Sequence, residues 1–81
     1  MNTFRISMNG CEFFKEFETL NELKNFFHIE GYPFLYLRIL DQYDGSIGHK
    51  KLKVSTMSED DFKWVLGNSE LGQRDIKAMK N

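Results

Sequence analysis

The chain reads as a small α+β domain of ββαββα(α) order, a mostly antiparallel four-stranded sheet with helices covering one face. Two glycine turn dipeptides, a helix-capping box and a glycine stop signal predict it. Asn9-Gly10 and Asp44-Gly45 each follow an alternating run, and a two-residue type I′ turn needs positive φ at both central positions.

Pairing outward from Asn9-Gly10 sets Met8 against Cys11, Ile6 against Phe13 and Phe4 against Lys15 on one side of a ribbon. Ser7 with Glu12, Arg5 with Phe14 and Thr3 with Glu16 take the other side. One side is largely apolar and the other largely polar, as a half-buried antiparallel pair requires. A slip of one residue would destroy that sorting.

The same construction at Asp44-Gly45 sets Leu37 against Leu52, Leu35 against Val54 and Ile39 against Lys50, on the side expected to face the core. The opposite side then pairs Phe34 with Ser55, Tyr36 with Lys53, Arg38 with Lys51 and Leu40 with His49.

Between the hairpins, Thr19 to Glu22 spells a capping box, and Leu20, Leu23, Phe26 and Phe27 share one helical stripe. Gly31 stops this helix and Tyr32-Pro33 prevents its continuation. Ser58 followed by three acids caps a second helix, whose inner stripe is Phe62, Val65 and Leu66. Ser69 to about Lys80 reads as a last helix, supported by Glu70 and Arg74 at i, i+4, with a partly ordered tail over 71–81 as the alternative.

Residues 1–81 fit one domain. Eight Phe, three Tyr and one Trp equip so short a chain with large apolar side chains for its core. The net charge of −1 is neither the basic excess of a typical nucleic-acid binder nor dense acid. One cysteine rules out an internal disulfide framework and suits a reducing compartment. No apolar run approaches the length of a membrane span, and the N-terminus lacks a signal-peptide pattern, so a cytoplasmic location without membrane contact is expected. For a phage-encoded chain that is the host cytoplasm.

No catalytic set assembles from these residues. Cys11 is the single thiol, expected beside Met8 on the core-facing side as a small hydrophobe. His28 suits a helix C-terminus, and one Cys with two distant His offers no zinc spacing. The stretch Asp41-Gln42-Tyr43-Asp44-Gly45 lacks the alternating oxygen ligands and closing Glu of a calcium loop. Consecutive Glu59, Asp60 and Asp61 point apart on a helix and cannot converge on one ion. No cofactor and no enzymatic activity are expected.

The informative surface is the outer side of the second hairpin, where Phe34, Tyr36, Arg38, Leu40, His49, Lys51 and Lys53 share one face. Arg38 opposite Lys51 is a like-charge pair, which favours meeting an acidic partner. Trp64 lies off the inner stripe of its helix, either packed under the C-terminal helix or displayed. The pattern points to a non-enzymatic protein-binding module, an inhibitor or regulator that docks a larger protein target with an acidic surface. By association alone, so small a protein suits the anti-host or anti-defence set of a phage or mobile element. Single-stranded nucleic acid, stacked on Phe34 and Tyr36, is the alternative ligand, and a homodimer the second alternative.

Overall fold

A computed structural model describes residues 2–40, 47–67 and 74–81, with the main chain alone at 38–40, 47–49, 67 and 74. The order is β1 (Thr3–Met8), β2 (Cys11–Glu16), α1 (Leu20–Glu30), β3 (Phe34–Leu40), β4 (Ile47–Lys53), α2 (Glu59–Gly67) and β5 (Arg74–Met79), with a 3-10 turn at Val54–Thr56. The sheet has five strands in the order β2-β1-β5-β3-β4. Only the β1–β5 pair is parallel, so the sheet is mixed and mostly antiparallel.

The first hairpin has the register its turn demands, from Met8↔Cys11 to Thr3↔Glu16. Asn9 (φ 51°) and Gly10 (φ 78°) both take positive φ, which is the type I′ condition. Thr19 caps helix α1 as expected, its Oγ1 accepting from Glu22 N–H at 3.2 Å; Glu22 Oε2 reaches back one residue further than a capping box requires and accepts from Glu18 N–H at 2.7 Å. It ends in a Schellman motif: Gly31 is left-handed (φ 81°), its N–H bonds His28 O at 3.2 Å, and Tyr32 N–H bonds Phe27 O at 2.9 Å. Ser58 and Asp61 cap α2 reciprocally, each side chain accepting from the other's N–H at 3.2 and 2.9 Å.

Two sequence expectations fail. The C-terminal segment is neither helix nor tail: β5 is the central strand, parallel to β1 and antiparallel to β3. Ile76 and Ala78 point into the core while Asp75, Lys77 and Met79 point out, a period of two that a strand satisfies and a helix cannot. The sheet therefore has five strands, not four. The second hairpin keeps its faces but is offset by two residues, with Leu35↔Leu52, Tyr36↔Lys51 and Arg38↔His49. A two-residue shift leaves every side chain on its side of the pleat, so alternation alone cannot detect it. Val54 leaves the ladder for the 3-10 turn, where its N–H bonds Pro33 O at 2.9 Å. Asp44-Gly45 and the Asp41–Gly45 stretch lie outside the described residues.

All buried apolar residues form one cluster between the sheet and the helices. Phe4, Ile6 and Met8 of β1, Leu35 and Leu37 of β3 and Ile76 of β5 meet Leu23 and Phe27 of α1 and Phe62 and Val65 of α2. Both helices thus lie on the same side.

Candidate docking face

With both helices on one side, the other face of the sheet carries no described element. The register lays out that face strand by strand. Glu12, Phe14 and Glu16 come from β2; Thr3, Arg5 and Ser7 from β1; Asp75, Lys77 and Met79 from β5; Phe34 and Tyr36 from β3; Lys51 and Lys53 from β4. None of these residues is buried.

The face is electrically polarised. Acid lies at the β2 end, with one carboxylate, Asp75, at the centre, and lysines crowd the β5–β3–β4 end. One row, Glu12–Ser7–Lys77–Tyr36–Lys51, crosses all the strands. At the basic end the Lys51 ammonium stands 4.3 Å from the Phe34 ring centre and 5.9 Å from that of Tyr36, a cation held over aromatic faces. The opposition of Arg38 and Lys51 expected from the sequence is replaced: Lys51 faces Tyr36, and Arg38 faces His49. The offset register thus removes a like-charge pair.

At the acidic end Arg5 Nη2 donates to Glu12 Oε2 at 2.7 Å, and Ser7 Oγ lies 3.5 Å from Glu12 Oε1. This hydrogen bond, and then the charge of Arg5, holds the Glu12 carboxyl below its ordinary range. The same contact, and then the Glu12 charge, raises Arg5 above its usual value, with Asp75 adding to it. Asp75 Oδ1 is shielded from solvent without a hydrogen-bond partner; Arg5 Nε at 3.9 Å reaches it as an ion pair only. Arg5, Glu12, Asp75, Lys77, Tyr36 and Met79 line a shallow depression of about 520 Å³ in the middle of the face.

Of the residues singled out by sequence, Phe34, Tyr36, Lys51 and Lys53 are brought together here. Arg38 and His49 pair in register, as do Leu40 and Ile47, but their side chains lie outside the described residues. Trp64 belongs elsewhere. Its ring packs partly buried against the core on the helix-bearing side, with the Lys50 ammonium 4.3 Å from its centre. The helix expected to cover it is, from Arg74 to Met79, the strand β5. Cys11 is on the expected side of its hairpin, yet exposed rather than buried, because its edge strand is exposed along nearly all its length.

Sequence reasoning missed Lys77, Asp75 and Met79, which supply the middle of the face. The alternation Asp75-Ile76-Lys77-Ala78-Met79 was the available signal, weakened by the small side chain of Ala78.

Among the described residues no group of three or more His, Cys, Asp or Glu side chains converges, and no helix is long and apolar enough to cross a membrane. No protein-family model, curated protein or solved structure matches this chain.

Proposed function

We propose that the protein is a non-enzymatic binding module, an inhibitor or regulator, that docks an acidic surface of a larger protein through the β5–β3–β4 half of its helix-free face. The observation that carries this reading is Lys51 held over Phe34 and Tyr36, with Lys53 and Lys77 beside it. Rings held in place by a strand lose little entropy on binding, and aromatic side chains supply much of the hot-spot energy of interfaces. Long-range attraction from three exposed lysines would steer an acidic partner to this end.

Nucleic acid is disfavoured on the same surface. A strand crossing the face would meet Asp75 and then Glu12 and Glu16, and Lys51 already occupies the ring faces on which bases would stack.

Affinity capture with the wild-type chain and a Lys51→Glu/Lys53→Glu variant tests the reading, with added oligonucleotide as competitor. The expected result is a protein partner retained by the wild type, released by raised salt, lost by the variant and indifferent to the oligonucleotide. Equal capture by both chains would show that this half of the face is not the docking surface.

A further inference from the structure

We propose that the outer edge of β2 is a self-association surface, where a second copy of this chain adds its own β2 antiparallel to the first across a two-fold axis at Phe13. The inference is independent of the docking face.

The two edges of the sheet are treated differently. On β4, Lys50, Lys51 and Lys53 are exposed, and lysines are a common guard against strand addition. On β2 the ladder runs without proline or bulge from Cys11 to Glu16. Two of its charges are folded back onto the molecule: Glu12 onto Arg5 at 2.7 Å, and Lys15 over the Phe26 ring at 5.1 Å. An exposed aromatic ring stands on that strand instead. Among the described residues the exposed large hydrophobics are Phe14, 71% exposed on β2, and Ile29, 77% exposed on α1. Ile29 follows Phe26 by three positions on the same flank of the helix, and the Phe26 ring meets that of Phe13 at 6.1 Å.

The backbone shows which groups the edge offers. Met8 and Cys11 close a two-residue turn and so exchange both main-chain hydrogen bonds. Cys11, Phe13 and Lys15 therefore aim their N–H and C=O at β1, and Phe17 N–H, bonding Asn2 O at 3.0 Å, continues that series. Glu12, Phe14 and Glu16 aim theirs at the open edge.

In a two-fold antiparallel pair, opposed residues share a face, so the axis must fall on a residue. An axis at Glu12 or Lys15 opposes a charge to itself. At Phe14 it sets Glu12 against the Glu16 of the other copy, twice. At Phe13 no like charges oppose: Glu12 meets Phe14, Cys11 meets Lys15, and Phe13 meets its counterpart. Glu12 and Phe14 then form the hydrogen-bonded pairs with their outward groups, leaving Phe13 at the closely spaced non-hydrogen-bonded position. An axis normal to the sheet keeps both docking faces on one side, which makes the assembly bivalent.

Sedimentation velocity from micromolar to millimolar concentration tests this. The expected result is a concentration-dependent rise to twice the chain mass. Phe14→Glu, at a position already in solvent in the single chain, should keep the far-UV spectrum and raise the dimer dissociation constant by about tenfold or more, since two aromatic contacts become like-charge pairs. Under mild oxidation, Phe13→Cys in a Cys11→Ser background should form an interchain disulfide, while Glu16→Cys in that background should not. A monomeric mass throughout overturns the proposal, even if the edge then captures an extended peptide from another protein. A dimer indifferent to Phe14→Glu overturns it too, by placing self-association elsewhere.

Discussion

Ile76 is 2% exposed in the middle of the sheet, with Ile6 of β1 across one ladder and Leu37 of β3 across the other. Ile76→Ala removes three carbons from this contact. At about 0.8 kcal/mol per buried methylene the lost transfer energy is about 2.4 kcal/mol. The space left between two paired strands collapses poorly, which raises the cost to about 3–4 kcal/mol. For a domain of this size each kcal/mol lowers the melting midpoint by about 4–8 °C, so the expected fall is about 12–30 °C. Thermal unfolding followed by far-UV circular dichroism measures it. The control is Lys77→Ala, next in the same strand but exposed, with a cost of about 0.5 kcal/mol or less. A loosely packed C-terminal helix or tail would make the two variants melt alike. A drop of less than about 4 °C for Ile76→Ala would refute the central placement of β5.

Three further outcomes follow from local geometry. Glu12, with its carboxyl lowered by Arg5, should titrate by NMR below an ordinary glutamate. A lowered carboxyl stabilises the fold above its unfolded value and loses that contribution as pH falls through the folded one. Arg5→Gln should return the midpoint upward, and an unmoved midpoint would mean that the 2.7 Å contact does not persist in solution. Ser58→Ala removes the acceptor for Asp61 N–H at the start of α2 and should cost about 1 kcal/mol in urea unfolding. At Gly31 (φ 81°) a Cβ would meet nothing within 4 Å, so Gly31→Ala should cost only the left-handed strain of about 1–2 kcal/mol; a neutral result would mean that the helix end relaxes without it.

What the sequence revealed, and what it hid, divides by the range of the interaction that decides it. The Asn9-Gly10 hairpin, the Thr19 cap and the Gly31 stop are set by neighbours within a few residues, and the structure has each of them. The second hairpin keeps its own register one residue past the strands, where Val54 N–H bonds Pro33 O at 2.9 Å, and that register is two residues from the one that Asp44-Gly45 alone would set. The strand β5 pairs only with β1 and β3, both distant in the chain. Nothing local rewards its extended form, and one ion-pair spacing, Glu70 with Arg74, suggested a helix. The four described aromatic and basic residues of the candidate site survived the register error because a shift of two preserves the face. Trp64 did not belong with them: it lies off the inner stripe of α2, yet its ring packs partly buried against the core on the helix-bearing side.

The helix-free face is itself a consequence of β5. β2 and β3 run in the same direction and are joined through α1, while β4 and β5 run together the opposite way and are joined through α2. The first crossover moves along the sheet from the β2 edge towards β4, and the second moves back from β4 towards the centre. Reversing both strand direction and direction of travel is a half-turn about the sheet normal, which leaves handedness and face unchanged. Two right-handed crossovers must therefore lay both helices on the same side. Had the last segment been a helix, the four-stranded sheet would have had a third element able to cover Phe34 and Tyr36. As a strand it uses that material to join the two hairpins, and it adds Lys77 to the uncovered face beside Tyr36. The cationic, aromatic character of that face thus depends on the segment whose conformation was hardest to read.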